Sequence, residues 1–191
     1  MSEFETKYKT NSRKAEAIAS ALVNNKELTD VPKRFLNIGV LTLPVSNKKD
    51  CIQIAAEEGR LWELPQTLIT LDRLLFKGNC RLNCIQLAIH KSEKSFFVLP
   101  KEAKELNALI EADINGTSSI EHLLEKSWGR TYVNKALKKS NARTAKKDKL
   151  KLLAIQNRLK RKSTRVPLLN ELIKNIDAAE ELKKEEKVEI G

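Results

Sequence analysis

The stretch KSWGRTYVNKALKKSNARTAKKDKLKLLAIQNRLKRKSTR, residues 126–165, holds most of the positive charge excess of this chain. It contains fifteen Lys or Arg residues and one acidic residue, Asp148, so its net charge is +14, whereas the whole chain of 191 residues carries +11. The excess is therefore local. A field this concentrated is typical of a segment that contacts a polyanion, and nucleic-acid phosphates are the commonest polyanion inside cells.

Helical patterns surround and enter this basic segment, residues 126–165. Ser118 and Glu121 have the spacing of a capping box, which predicts a helix that begins there and extends to about Lys139. We expect an interruption at Ser140–Thr144 and a further helix after it. Two alternative faces are open for the inward side of that helix: Leu150, Leu153 and Asn157, or Leu152, Ile155 and Leu159.

A separate amphipathic helix is predicted after Val166–Pro167, because the residue before proline is disfavoured in helical geometry. Its apolar positions have helical spacing and are Leu169, Leu172, Ile173, Ile176 and Ala179. It ends in a charged tail over residues 180–189.

The region before the basic segment has mixed patterns. Residues 12–25 have helical periodicity, whereas Arg34–Leu43 favours a strand. Two short helices are predicted over Cys51–Leu64 and Thr67–Phe76, on either side of Pro65. Leu82–His90 and Ser95–Leu99 favour β-structure and are joined by a short polar connection, which predicts an antiparallel hairpin. We see no internal repeat.

These elements predict an α+β, helix-rich fold with four parts. We expect a mobile arm at residues 1–11, a compact α+β domain at 12–125, a long basic helical segment at 126–165, and an amphipathic helix with a charged tail at 166–191.

Composition limits the class of protein. There are three Cys, an odd number without the spacing of a disulfide framework, and this indicates a reducing, intracellular environment. We expect neither a signal peptide nor a membrane span, because no long apolar run is present, and therefore a soluble cytoplasmic or nuclear protein. Cys51, Cys80, Cys84 and His90 lack zinc-site spacing, so we expect buried free cysteines, no metal and no cofactor.

The candidate nucleic-acid contacts are basic residues of the segment 126–165. They are Arg130, Lys135, Lys138, Lys139, Arg143, Lys146, Lys147, Lys149, Lys151, Arg158, Lys160, Arg161, Lys162 and Arg165. Trp128 and Tyr132 are four residues apart, which places both rings on one helical face. They are candidates for base stacking, although docking on the core is the commoner role of such a pair and the one we favour.

These features predict a non-enzymatic nucleic-acid-binding protein that prefers RNA to DNA and belongs to a ribosomal or other ribonucleoprotein assembly. No nucleophile–base pair, carboxylate motif or glycine-rich phosphate loop indicates catalysis. Two alternatives stay open. One is a DNA-binding regulator with a helix-turn-helix at residues 51–76. The other is an interaction subunit that binds a protein partner through the helix at 168–182.

Overall fold

The computed structural model describes residues 3–78 and 80–189, and the regular structure in this part of the chain is helical. Thirteen α-helices occur there, and short 3-10 helices connect several of them. The α-helices are α1 (Glu3–Lys7), α2 (Asn11–Val23), α3 (Ile38–Leu41), α4 (Cys51–Glu57), α5 (Leu71–Leu75), α6 (Cys84–Lys91), α7 (Glu93–Phe97), α8 (Leu106–Leu109), α9 (Ser119–Leu124), α10 (Gly129–Lys139), α11 (Ala142–Ala145), α12 (Lys149–Arg161) and α13 (Pro167–Glu189).

The predicted α+β class is wrong, because the fold is all-helical. The described residues contain no sheet, and the β-type pairing recorded there is a single bridge between Ala112 and Ser118. The strand predicted at Arg34–Leu43 is a 3-10 turn at Lys33–Phe35 followed by α3, which packs on α2.

The predicted hairpin is also helical, and burial explains the error. Its arms form α6 and α7, and α6 starts with a capping box in which Asn83 and Gln86 exchange hydrogen bonds of 3.0 Å. Residues 84–89 of α6 are all buried. A buried run this short suits a strand as well as a helix, and its β-branched residues Ile85 and Ile89 suggested the strand.

Two compact units make up the described chain. Unit 1 comprises residues 3–103 and 113–115, and unit 2 comprises residues 104–112 and 116–189. These bounds differ from the predicted domain at 12–125, since α9 lies in unit 2 with the basic segment. Of the predicted arm and tail, residues 1, 2, 190 and 191 lie outside the described part, while residues 3–7 form α1.

An internal repeat, which the sequence analysis missed, governs the order of elements. Pro32, Pro65 and Pro100 stand 33 and 35 residues apart, and a 3-10 helix follows each of them. Capping boxes recur with the same two spacings, at Asp50–Gln53, Asn83–Gln86 and Ser118–Glu121. The copies that begin at Asp50 and Asn83 thus each start with a capped buried helix, turn at a proline and end in a short helix, as helical repeats do, while Ser118 begins a further capped helix without a proline at the corresponding position.

Within unit 1, the helices α2, α4 and α6 pack in succession. Buried Arg60 joins neighbouring copies: its guanidinium donates to the carbonyl oxygens of Ala21, Leu22 and Lys26 at 2.6–2.9 Å and pairs with Glu63. The last carbonyls of a helix have no partner within that helix, so this arginine supplies the hydrogen bonds that the end of α2 lacks.

In unit 2, the apolar face of α13 packs on α10, α11 and α12. That face comprises buried residues Leu169, Leu172, Ile173 and Ile176, which confirms the predicted amphipathic helix.

Helix α12 settles the choice between the two predicted faces. Leu152, Ile155 and Leu159 are buried, whereas Leu150 is 83% exposed. The second of the two predicted faces is therefore correct, and the first is wrong.

The basic segment is not one long helix. It is divided into α10, α11, a 3-10 turn at Lys146–Asp148, and α12. The predicted interruption is present: Ser140 ends α10, and the side chain of Asn141 accepts a hydrogen bond from the Thr144 amide at 2.9 Å to begin α11. None of the helices in the described residues is both long enough and apolar enough to span a membrane.

Candidate nucleic-acid interface

Folding sorts the basic residues of the segment into two sets. Five of them pair with acidic residues of unit 2, namely Lys146, Lys149, Lys151, Arg158 and Lys162. All five were among the fourteen predicted contacts. The structure therefore assigns part of the predicted interface a role in holding unit 2 together.

Lys146 and Lys149 pair with α13. The ammonium of Lys149 lies 2.6 Å from Asp177 and 2.7 Å from Glu180, and Lys146 lies 3.4 Å from Glu180. Hydrogen bonds to Asp177 and Glu180 raise the pKa of Lys149, and the hydrogen bond from Lys149 holds the pKa of Glu180 below its ordinary value. These pairs lie at the surface, so salt will weaken them.

Arg158 makes the most buried of these ion pairs. Its Nε and Nη2 donate to the two carboxylate oxygens of Glu121, both at 2.9 Å, and the Glu121 side chain is only 1% exposed. Burial by itself raises the pKa of Glu121, but the hydrogen bonds from Arg158 and Ser118 outweigh it and hold that pKa below 4.5. Because Glu121 also closes the capping box of α9, Arg158 fastens α12 to the start of α9.

The other two pairs are exposed. Lys151 lies 2.5 Å from Glu111, and Lys162 lies 3.0 Å from Glu125. Solvent screens such pairs, and each contributes about 0–1 kcal/mol.

The remaining nine predicted contacts form no ion pair with any described residue. They are Arg130, Lys135, Lys138, Lys139, Arg143, Lys147, Lys160, Arg161 and Arg165. All nine side chains are exposed. The positive excess seen in the sequence therefore persists on the surface of unit 2.

These nine residues fall into two groups. The first group lies near the end of α12, whose last two residues are Lys160 and Arg161; there the guanidinium of Arg130 donates to the backbone carbonyl of Arg165 at 2.9 Å and so ties α10 to the segment that follows α12. The other group follows the end of α10 through α11 to the 3-10 turn, from Lys135 to Lys147.

A groove of about 510 Å³ lies beside this second group, and we call it the basic groove. Lys139, Arg143 and Lys147 line it, together with Glu105 and Asp148. Its walls come from α8, the end of α10, α11 and the following 3-10 turn, so four short elements supply its charged groups.

Lys104 is a cationic neighbour that the sequence analysis missed. Burial, and then the nearby charge of Lys135, lower the pKa of Lys104 below its ordinary value. Lys104 precedes Lys135 by 31 positions and lies outside the basic segment, so no local sequence pattern marks it. Two like charges held close together strengthen the positive field at this end of unit 2.

The rings of Trp128 and Tyr132 form an edge-to-face pair with centroids 5.8 Å apart. Both residues are half-buried. Trp128 is the N-cap residue of α10 and Tyr132 lies within that helix, so the two rings meet at its start. Whether the pair serves mainly as a packing anchor or also stacks on bases stays a prediction.

The predicted helix-turn-helix region has a different geometry. Residues 51–56 of α4 are all buried, and α5 has only five residues. Two 3-10 helices, at Leu61–Glu63 and Gln66–Leu68, lie between them. In a helix-turn-helix the second helix enters the major groove, and here that helix would be α5, whose five residues make only about one and a half turns.

The cysteines are free thiols, and Cys51 and Cys84 are buried as predicted, while Cys80 is half-buried. Burial raises the pKa of Cys51 to about 12. Among the residues that the structure describes, no group of three or more His, Cys, Asp or Glu side chains is placed to hold a metal ion.

Comparison of the chain with protein-family models, with curated proteins and with solved structures gives no match. The functional argument therefore depends on the chemistry of unit 2.

Proposed function

We propose that this protein is a non-enzymatic nucleic-acid-binding protein that binds RNA in preference to DNA and acts within a ribonucleoprotein assembly. The observation that carries the proposal is the set of nine exposed basic side chains without an ion-pair partner in the described residues. When such side chains neutralise RNA phosphates, the cations condensed on the RNA are released to solvent, which favours binding.

The shape of the basic surface supports RNA as the preferred ligand. Three elements, α10, α11 and the turn at Lys146–Asp148, present the cations around a groove rather than along one face of a single helix. Folded or single-stranded RNA offers phosphates along an irregular path, whereas readout of duplex DNA commonly uses a helix in the major groove.

The protein-partner alternative has less support. The apolar face of α13 that was expected to bind another subunit is already buried within unit 2. In the DNA-regulator alternative the recognition helix would be α5, the second helix at residues 51–76, and it has only five residues.

The test compares two variants that each lose five positive charges. The first replaces, by Gln, five basic residues beside the groove: Lys135, Lys138, Lys139, Arg143 and Lys147. The matched control replaces five exposed lysines of unit 1: Lys9, Lys26, Lys33, Lys94 and Lys101. Both variants have the same net charge, so a difference in binding reports on position rather than on total charge.

Affinity for a structured RNA is measured from about 50 to 200 mM salt. We expect the groove variant to have a log–log salt slope shallower by about 3 to 4, since five lost phosphate contacts contribute about 0.7 each in single strands. The control variant should keep the slope of the natural chain. Equal losses in the two variants would refute localisation of binding to this surface, and tighter retention of duplex DNA than of RNA in competition would refute the RNA preference.

A further inference from the structure

The basic groove contains charges of both signs that do not pair with each other. Lys139, Arg143 and Lys147 line it, yet Glu105 and Asp148 line the same groove without an ion pair to any described residue. Neither carboxylate makes a capping hydrogen bond, although Glu105 stands at the N-cap of α8 and Asp148 at the N-cap of α12. Cations and carboxylate acceptors are thus both available to a ligand.

The presence of both cations and carboxylates in the groove favours some anionic ligands over others. A bare phosphate or polyphosphate offers only hydrogen-bond acceptors to its surroundings, and the two carboxylates would repel it. A ligand that suits the groove must join a phosphate to a hydrogen-bond donor a short distance away. A ribonucleotide does so, because its 2′-hydroxyl can donate to a carboxylate, whereas a deoxyribonucleotide lacks that group.

We infer that the basic groove seats one ribonucleotide of a single RNA strand, with its phosphate at Lys139, Arg143 and Lys147 and its ribose 2′-hydroxyl donating to Glu105 or Asp148. The inference rests on the proposed function and attributes the preference for RNA to one group of the ligand, the ribose 2′-hydroxyl. The volume of about 510 Å³ lies within the usual range of small-ligand sites.

The floor and rim of the groove fit the same ligand. Buried Leu106, Ala136 and Ala145 form apolar parts of the lining, against which a sugar or base edge can pack. The amide of Asn107, also in the lining, offers both a donor and an acceptor. The base donors differ among the four nucleotides, but the 2′-hydroxyl is common to all, so we expect discrimination of RNA from DNA rather than of sequence.

The experiment asks whether removal of one negative charge raises or lowers the affinity for each kind of strand. The full chain and its Glu105→Ala variant are titrated with oligouridine of about 12 nucleotides, with oligodeoxyuridine of equal length, and with the 2′-O-methyl strand. Simple electrostatics predicts that removal of an acid strengthens the binding of every strand. If Glu105 accepts the 2′-hydroxyl, RNA affinity should instead fall about tenfold while DNA affinity rises about two- to threefold.

Two further variants complete the design. Asp148→Ala is measured in parallel, because either carboxylate is able to accept the hydrogen bond from the 2′-hydroxyl. Glu171→Ala removes an exposed acid of α13 outside the groove lining and should raise RNA and DNA affinity equally or not at all. Thermal melts check that each variant is folded.

The outcomes separate the inference from the proposed function. A selective loss of RNA binding in Glu105→Ala or Asp148→Ala, with the 2′-O-methyl strand bound like DNA by the natural chain, supports the inference. Equal gains for RNA and DNA in both variants overturn it and leave the proposed function intact. Failure of the natural chain to bind any strand overturns the proposed function itself.

Discussion

Replacement of Arg158 by Met should destabilise unit 2 strongly at neutral pH and much less in acid. The change removes both 2.9 Å hydrogen bonds to Glu121 and leaves that carboxylate, with a side chain 1% exposed, without its cation. Breaking a buried ion pair from one side costs about 3–5 kcal/mol. Arg158 is itself 35% exposed, so solvent screening reduces the expected loss to about 2–3 kcal/mol.

The pH dependence follows from the lowered pKa of Glu121. A carboxyl group with a folded-state pKa below 4.5 contributes stability that is present above pH 4.5 and is lost as the pH falls through the folded pKa. Below that point Glu121 is protonated in both proteins, and Arg158 no longer has a charge to neutralise. The difference in unfolding free energy should therefore shrink as the pH falls below 4.5.

The assay is urea unfolding followed by tryptophan fluorescence in a Trp62→Phe background. The chain has two tryptophans, and Trp62 is 71% exposed in unit 1, so the background leaves Trp128 as the reporter of unit 2. The midpoint should drop by about 1–2 M urea at pH 7. Lys162→Met, which breaks the exposed pair with Glu125, is the control and should cost no more than about 1 kcal/mol. An unchanged midpoint for Arg158→Met, or an equal loss at pH 7 and pH 4, would refute the reasoning.

Two further stability predictions test the packing of unit 2. Gly129→Ala should lower the unfolding free energy by several kcal/mol, because a Cβ at this position would lie 1.8 Å from the carbonyl oxygen of Leu123; a melting temperature within a degree of the natural chain would contradict this close packing of α9 and α10. On α12, Leu152→Ala should cost about 2–5 kcal/mol and Leu150→Ala less than about 0.5, since the first side chain is buried and the second is 83% exposed. Denaturant unfolding of the pair, measured side by side, checks the register of α12, and similar losses in both variants would show that the register is wrong.

Local chemistry was sufficient for several parts of this protein. The capping box of Ser118 and Glu121 involves residues three apart, and the amphipathic stripe of α13 repeats within two turns, so both could be predicted from neighbouring residues alone. The concentration of charge at residues 126–165 is a property of composition and needs no coordinates.

Tertiary packing decided what neighbouring residues could not. Helix α6 has six consecutive buried residues, and a run this short suits a strand as well as a helix, so packing among the repeat copies decided between them; its capping box at Asn83 and Gln86 was a local helix signal that the sequence analysis missed. The internal repeat does have a sequence signal, since Cys-Ile-Gln follows both Asp50 and Asn83, but the second half of each copy diverges and its spacing changes from 33 to 35 residues.

The division of the basic residues also depended on the fold. Arg158 and Arg143 look alike in the sequence, yet one pairs with buried Glu121 and the other lines the basic groove. Lys104 joins the cationic surface from 31 positions before Lys135. Charges act over distances in space rather than along the chain, so the sequence determined how much positive charge the protein carries, and the tertiary structure decided which of it is neutralised and which remains on the surface.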